Sequence, residues 1–230
     1  MRHWLFLSVF VVTATSASLF GQDSAPDRVV GFGVRGGVPL TDPFETGSYS
    51  IPPGGESASS ANRRYTVGPA LELRLPHGFG VEVDALYQRL GMAETTAAQG
   101  WIVYRDIHIS ANSWEFPLLA KYRLPRIRSV HPYIAAGPSF RAVSGVSVST
   151  LNYCAPGFCT ATGPVHTSDD SHLGDRSHAG MVIGLGSHFR LGRIHIWPEG
   201  RYARWRADYM PDPYLYSNQN QVYLLMGITF

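Results

Sequence analysis

Alternation with a period of two runs through eight segments of this 230-residue chain and restricts its fold more than any other feature. Successive side chains of a β-strand point to opposite faces, so the pattern predicts strands whose two faces differ chemically. One set of alternate positions is free of charged residues in every segment. The segments are 30–40, 65–75, 79–87, 114–124, 132–140, 179–191, 194–202 and 222–230.

The other face of the same segments carries charged residues interleaved with glycines. Glycine weakens a strand that faces water, but inside a narrow barrel it leaves room for long charged side chains. We therefore predict that the charged face is enclosed and that the uncharged face forms the outer wall. The predicted interior charges are Arg35, Glu72, Arg74, Glu82, Asp84, Glu115, Lys121, Arg123, Arg141, Arg190, Glu199 and Arg201.

Aromatic residues of the uncharged face lie mainly near the ends of the segments, with aliphatic residues between them. Two aromatic girdles around an aliphatic belt are typical of a transmembrane β-barrel. The predicted girdle residues are Tyr65, Phe79, Tyr87, Trp114, Tyr122, Phe140, Phe189, Tyr202 and Phe230.

The connections between segments alternate in length. Those after the second, fourth and sixth segments are short, and those after the first, third, fifth and seventh are long. This predicts an all-β fold, an eight-stranded antiparallel up-and-down transmembrane β-barrel with long extracellular loops and short periplasmic turns. The last strand pairs with the first, since a barrel has no free edge. The link at 44–64 is rich in Gly, Ser and Pro and is predicted to be a mobile loop.

The N-terminus has the three-part pattern of a secretory signal peptide: a basic start, the apolar run "WLFLSVFVV" and small residues. We predict a signal peptide at 1–21, cleaved after Ala17 or Gly21, and a barrel domain at 22–230. The formal net charge is +2 and no basic cluster or Arg/aromatic patch appears, so no nucleic-acid partner is predicted. An exported chain meets an oxidising compartment, and Cys154 and Cys159 flank a Pro-Gly turn, which favours a disulfide.

Two architectural alternatives stay open at this point. Alternation continues in 101–110 and 143–150, which predicts strand extensions above the membrane or a ten-stranded barrel. The symmetry of the alternation also leaves a soluble lipocalin-like binder, with the apolar face inside. Prolines within predicted strands remove ladder hydrogen bonds and allow a one-residue slip in register; they are Pro69, Pro117, Pro138 and Pro198.

Four stretches carry a resemblance to a known family: "NSWEFPLLAKYRL" (112–124), "HPYIAAGPSFR" (131–141), "WPEGRYARW" (197–205) and "LLMGITF" (224–230). With them the chain resembles the small eight-stranded outer-membrane barrels of the OmpA/OmpX-like group and of the outer membrane protein β-barrel domain families. The resemblance implies a bacterial outer-membrane location, contact with outer-membrane lipid and lipopolysaccharide, and recognition of the C-terminal strand by the barrel-assembly machinery. A monomer is expected.

The predicted interior charges are compatible with two functions, depending on whether they fill the lumen or line an open channel. An eight-stranded barrel is only wide enough for side chains to fill, and buried charges must be paired. We therefore predict a plugged interior and a structural or surface-interaction role. The alternative from the same residues is a narrow, porin-like channel for small solutes.

Candidate chemistry elsewhere is sparse. His108 and Ser110 share a strand face, which resembles lipid-A-modifying hydrolases, but no third catalytic partner follows from the spacing. No catalytic site, cofactor or metal site is therefore predicted. An acidic, His-rich run in the third long link is interpreted as a solvated loop rather than a divalent-cation site. That run comprises His166, Asp169, Asp170, His172, Asp175 and His178.

Overall fold

The computed structural model describes residues 29–44, 47–51, 54–99, 102–125, 130–154, 165–167, 177–191, 194–206 and 218–229. Within these ranges the regular structure consists of strands and one three-residue 3-10 turn, Pro76–Gly78. No helix in the described ranges is long and apolar enough to cross a bilayer. The predicted signal peptide at 1–21 lies outside the described residues.

The described residues form twelve strands, each paired antiparallel with its neighbours. They are β1 (Val30–Pro39), β2 (Gly47–Ile51), β3 (Gly54–Ser60), β4 (Thr66–Arg74), β5 (Phe79–Asp84), β6 (Leu86–Gln99), β7 (Ile102–Arg123), β8 (His131–Cys154), β9 (Val165–Thr167), β10 (Ser177–Leu191), β11 (Ile194–Trp205) and β12 (Asn220–Thr229).

The sheet closes into a ring because β1 pairs on one edge with β4 and on the other with β12. Around the ring the order is β1, β4, β5 with β6, β7, β8, β10, β11 and β12. β5 and β6 are two halves of one barrel strand interrupted at Ala85, since β4 and β7 each pair with both halves. The ring therefore has eight strands, and the predicted up-and-down barrel is confirmed.

The two ends of the ring differ in their connections. At one end, which we call the short-turn end, residues 75–78 join β4 to β5, residues 124–130 join β7 to β8, and residues 192–193 join β10 to β11. The opposite end, here the long-link end, carries β2, β3, β9 and the outer parts of β6, β7 and β8. The predicted alternation of short and long connections is thus present in the fold.

Beyond the ring, the third barrel strand continues as a paired strand, as the alternation at 101–110 predicted. β6 and β7 stay paired out to Gln99 and Ile102, and β7 and β8 stay paired out to Ile102 and Cys154. The predicted strand extensions are therefore confirmed. The physical reason is a second apolar inner face beyond the ring: Leu90 and Met92 of β6 pack with Ile107 of β7 and with residues of β8.

The link at 44–64 is also more regular than predicted. β2 and β3 form a hairpin within it, and β3 pairs with the outer part of β6, for example Ser57 with Thr95. On the other side, β9 pairs with the outer part of β8. The small residues of this link fit a strand at the edge of the extension, where backbone pairing with β6 replaces the solvent contact expected of a loop.

The outer wall of the ring is uncharged at the positions that the alternation selected. Val34, Leu73, Val83 and Ile183 are exposed there, and Leu185 is 68% exposed. The alternation is not shifted at the strand prolines: Pro69 pairs with Val34 of β1, and the pairing of β4 with β1 continues with the same register on either side. The one-residue slip that prolines allow is therefore absent from this pairing, because a missing donor removes one hydrogen bond without changing the backbone path.

Candidate functional site

The centre of the barrel contains a network of ion pairs around Glu82. The Glu82 carboxylate accepts hydrogen bonds from Arg35, whose Nη2 lies 2.9 Å from Oε2, and from Arg201, whose Nη2 lies 3.0 Å from Oε1. A second Arg35 nitrogen and the Lys121 ammonium also contact it. All four side chains are buried. Three cations from β1, β7 and β11 therefore meet at one carboxylate of β5.

Two further carboxylates complete the network. Asp84 Oδ2 accepts from Arg35 Nη1 and from Arg201 Nη1, each at 3.0 Å. Glu199 Oε1 accepts from Arg201 Nε at 2.7 Å, and its Oε2 lies 3.4 Å from Arg35 Nη2. Three basic and three acidic side chains thus balance to zero net charge, which is the condition for burying them inside a protein.

The contact between Arg201 and Glu82 joins opposite walls of the barrel. β5 and β11 lie four places apart in the ring of eight, whichever way the ring is followed. Arg201 on β11 nevertheless bonds both Glu82 and Asp84 on β5 at 3.0 Å. The side chains of this network therefore reach across the whole lumen.

Aromatic side chains that the sequence analysis did not select flank the network. Lys121 Nζ lies 4.5 Å from the ring centre of Tyr133 and 4.6 Å from that of Trp197, within cation–π range. The Tyr133 hydroxyl donates to Glu199 Oε2 at 2.7 Å. A sequence signal for Trp197 existed, because it shares its parity with Glu199 and Arg201 on the enclosed face of β11.

A second polar group lies nearer the long-link end and centres on Arg141. Its Nη2 donates to Glu115 Oε2 at 3.1 Å, to Gln221 Oε1 at 2.6 Å and to the Tyr223 hydroxyl at 2.9 Å. The guanidinium carbon lies 3.9 Å from the ring centre of Trp205. These contacts join β7, β8, β11 and β12, so the lumen is bridged a second time.

Apolar side chains fill further parts of the described interior. One buried cluster lies beside the charged network and comprises Leu86, Leu119, Tyr133, Ala135, Val182, Ala203, Trp205, Tyr223 and Leu225. Another fills the extension beyond the ring and comprises Phe44, Leu90, Met92, Ala111, Val143, Val146 and Val148. The enclosed face is therefore less uniformly polar than its charged residues suggested, because the enclosed positions without a charge also have to fill the lumen.

The remaining predicted interior charges lie at the short-turn end. Glu72 is buried, and Arg74 Nε and Arg123 Nη2 lie 3.6 Å and 3.7 Å from its carboxylate oxygens. Lys121 Nζ lies 4.0 Å from the same group. Arg190 is in β10, and its side chain lies outside the described part of the structure.

Glycines on the enclosed face make the close packing of the network possible. A Cβ at Gly184 would lie 2.6 Å from Glu199 Oε1, and a Cβ at Gly186 would overlap the ring of Tyr133. Real Cβ atoms do not approach other heavy atoms this closely. These positions give a concrete reason for glycine on the charged face.

Replacing Gly186 with Ala is therefore expected to destabilise the barrel. The new methyl group displaces the Tyr133 ring and weakens its bond to Glu199, an overpacking change that costs about 1–3 kcal/mol. Urea unfolding of the refolded protein in liposomes measures the loss. Gly200→Ala on the outer face is the control, because its Cβ would meet only Leu185 O at 4.0 Å. Equal stability of the two variants would contradict the steric role of Gly186.

The predicted aromatic girdle residues that are described lie on the outer face. Phe79 and Tyr122 are near the short-turn end with ring centres 5.1 Å apart, and Tyr87 and Trp114 are near the long-link end at 5.3 Å. Tyr65 and Phe140 are exposed, and Phe189 and Tyr202 are half-buried. Phe230 lies outside the described residues.

The structure does not assemble a site from the remaining described candidates of the sequence analysis. His108 is exposed on the extension, and Ser110 Oγ accepts a hydrogen bond from Arg89 at 3.0 Å. Among the described side chains no group of three His, Cys, Asp or Glu is arranged to hold a metal ion. His178 is buried in the barrel.

Asp169, Asp170, His172 and Asp175 lie outside the described residues, and so does Cys159. His166 belongs to β9 and Cys154 ends β8, and the description covers only the backbone of these two residues. The disulfide stays a prediction.

One family model matches the chain, over residues 20–204, and its description is "Outer membrane protein beta-barrel domain". The match covers most of the sequence, from before β1 to the penultimate residue of β11. The chain belongs to this family. No curated protein matches the sequence.

Membership of the outer-membrane barrel family explains why uncharged residues lie outside and charged residues inside, the reverse of a protein that is surrounded by water. The chain is an integral outer-membrane β-barrel, so its uncharged wall contacts lipid, where a charge is costly. The charged face is enclosed, where partners on other strands neutralise it. The open lipocalin-like alternative is excluded, because Leu73, Val83 and Ile183 lie outside and Glu82 and Arg201 lie inside.

Proposed function

We propose that this protein is a closed, non-conducting barrel with a structural or surface-interaction role in the outer membrane. The observation that carries the proposal is the bonding of Arg201 to Glu82 and Asp84 at 3.0 Å between opposite walls of the ring. A solute that follows the barrel axis has to break these contacts. The narrow channel is the competing function.

The energetics of the network support a permanent plug. Breaking a buried ion pair by separating its partners leaves uncompensated charge in a medium of low polarity, at a cost of about 3–5 kcal/mol. Arg201 contacts three carboxylates at once, and Glu82 contacts three cations. An opening event has to break several of these contacts together, so spontaneous opening is expected to be rare.

The apolar cluster in the extension supports the same conclusion from a different direction. Leu90, Met92 and Val146 are buried there, beyond the charged network on the long-link side. Apolar constrictions resist wetting, and ions do not cross a dry segment without losing hydration. The extension is therefore expected to add an apolar barrier to the charged one in the lumen.

Planar-bilayer recording tests the closed state. The refolded protein is expected to give no steady open events, and steady conductance steps in the wild type would establish the channel instead. The variant Glu82→Ala/Arg201→Ala removes the contact between opposite walls and is expected to conduct more often than the wild type. Arg64→Ala is the matched control, because Arg64 is 73% exposed and pairs with Asp42 outside the lumen. Heat-dependent gel mobility checks that each variant is folded.

The extension supports the surface-interaction part of the proposal. β6, β7 and β8 carry paired strands well past the aromatic pair Tyr87–Trp114, and β2, β3 and β9 widen this sheet. Exposed segments held by a rigid scaffold are common binding surfaces. We assign this end to the cell exterior, in contact with lipopolysaccharide.

A further inference from the structure

Arginine side chains lie directly beyond the aromatic girdle at the long-link end, which we call the outer girdle. In β6 and β11 an arginine takes the next outward-facing position after a girdle tyrosine, and in the link that enters β4 an arginine stands two residues before one. The three pairs are Tyr87 with Arg89, Tyr202 with Arg204, and Tyr65 with Arg63. We refer to Arg63, Arg89 and Arg204 as the arginine belt.

The guanidinium groups of the belt are held at the outer surface. Arg63 and Arg204 are exposed, and Arg89 is half-buried. Arg89 donates to Asn112 Oδ1 at 3.1 Å and to Ser110 Oγ at 3.0 Å, and both of these neutral groups belong to β7. The two hydrogen bonds fix the Arg89 side chain and leave its positive charge uncompensated.

The belt has no acidic partner in the part of the chain that the structure describes. No described carboxylate lies within ion-pair distance of Arg63, Arg89 or Arg204. The neighbouring Arg64 differs from them, because it pairs with Asp42 at 3.2 Å. Positive charge is therefore presented outward at three places and is available to an acidic group from outside the barrel.

The corresponding described positions at the short-turn end carry no charge. Leu124 follows the girdle residue Tyr122 two positions later and is exposed. Leu75 and Ile194 are also exposed on the outer face near this end. At these positions leucine and isoleucine take the place that arginine takes beyond the outer girdle. Such an asymmetry fits a bilayer whose two leaflets differ in headgroup charge.

The spacing from the girdle places the belt at the depth of the lipid headgroups. Two residues along a strand span about 7 Å, which a strand tilt of about 40° reduces to roughly 5 Å along the membrane normal. The headgroup layer extends about 5–8 Å beyond the hydrocarbon core on each side. Girdle tyrosines mark the edge of that core, so a guanidinium group two residues further out lies among the headgroups.

We propose that the arginine belt binds phosphate groups of lipopolysaccharide in the outer leaflet. This inference rests on the assignment of the long-link end to the cell exterior in the proposed function, and it adds the lipid group that is bound and the residues that bind it. Guanidinium groups form bidentate hydrogen bonds with phosphate, and cations next to a membrane bind anionic headgroups. Lipid held at three positions fixes how deeply the barrel sits in the outer leaflet.

Native mass spectrometry of the refolded full-length barrel in a non-ionic detergent tests the proposal by counting bound lipid during a titration. The probes are purified lipid A that carries its phosphates and the same lipid A after dephosphorylation, so the acyl chains are identical. The phosphorylated lipid is expected to bind at least about tenfold more tightly, because only its phosphates offer charge-assisted hydrogen bonds to the guanidinium groups. Equal affinity of the wild type for the two lipids overturns the proposal.

The variant Arg63→Gln/Arg89→Gln/Arg204→Gln is expected to bind phosphorylated lipid A at least about tenfold more weakly than the wild type and to bind the dephosphorylated lipid equally well. Arg63→Gln/Arg204→Gln, which changes only exposed side chains, is expected to lose part of the same affinity. Arg123→Gln is the control, because it removes a cation inside the lumen at the short-turn end. An equal loss in the control and the triple variant contradicts the role of the belt.

Cysteine labelling in intact cells separates this proposal from the proposed function. Thr95 is exposed on the extension, so Thr95→Cys in a chain that also carries Cys154→Ser/Cys159→Ser is expected to react with an impermeant maleimide. Absence of labelling overturns the assignment of the long-link end to the exterior, and the lipopolysaccharide contact with it. Labelling combined with unchanged lipid A binding by the triple variant overturns the phosphate contact alone. Heat-dependent gel mobility checks that each variant is folded.

Discussion

Replacing Glu82 with Gln is expected to lower the free energy of unfolding of the barrel by about 3–5 kcal/mol. The carboxylate contacts Arg35, Lys121 and Arg201, and all these side chains are buried. The amide keeps the shape of Glu82 but removes the negative charge, so three buried cations are left with Asp84 and Glu199 as counter-charges. The penalty comes from uncompensated charge rather than from lost packing.

Equilibrium urea unfolding in liposomes, followed by tryptophan fluorescence, measures this effect. Asp42→Asn is the matched control, since its pair with Arg64 at 3.2 Å is largely exposed and such pairs contribute less than about 1 kcal/mol. Adding Lys121→Met to Glu82→Gln is expected to recover part of the loss, because the double variant restores charge balance. A loss at Glu82 no larger than that at Asp42 would show that the network does not stabilise the barrel.

Replacing Leu118 with Arg is expected to destabilise the membrane-inserted barrel by about 2–4 kcal/mol. Leu118 is exposed on the outer face of β7, midway between Trp114 and Tyr122, which mark the two aromatic girdles. A guanidinium at this depth faces hydrocarbon on all open sides and is too far from either interface to reach water easily. The cost therefore reports directly on the contact of this wall with lipid.

Leu124→Arg provides the comparison for Leu118→Arg, because it places the same charge on an exposed leucine just beyond the inner girdle residue Tyr122. There the expected cost is only about 0–1 kcal/mol, since the side chain reaches the interface. Equilibrium unfolding of both variants from liposomes gives the loss of unfolding free energy at each position, and the two losses are then compared. Similar costs at the two positions would mean that the membrane midplane does not lie at Leu118.

Much of the barrel could be predicted from parity alone. Because side chains alternate strictly along a strand, one decision about which face is enclosed assigned Leu73, Val83 and Ile183 to the wall and Glu82 and Arg201 to the lumen. Interior glycines such as Gly186 supported that decision, and the structure gives the reason, since a Cβ there would overlap Tyr133. The same alternation, continued through 101–110 and 143–150, predicted the outer parts of β7 and β8.

The partners inside the lumen could not be predicted in this way. Arg201 and Glu82 are 119 positions apart in sequence, and their contact depends on the closure of the ring and on the stagger of its strands. Trp197 and Tyr133 carry no charge, so the search for charged positions passed over them although their parity was correct. The group of His131, His188 and His195 likewise comes from three different strands and has no local sequence signature.

The sequence by itself determined the ring strands, the enclosed face and the aromatic belts, because each of these depends on side-chain alternation within a single strand. Tertiary structure alone decided between eight and ten ring strands, paired the six central charges and brought His131, His188 and His195 together at the short-turn end. These features depend on distances across a closed lumen, and only ring closure and register bring residues from opposite walls within bonding range.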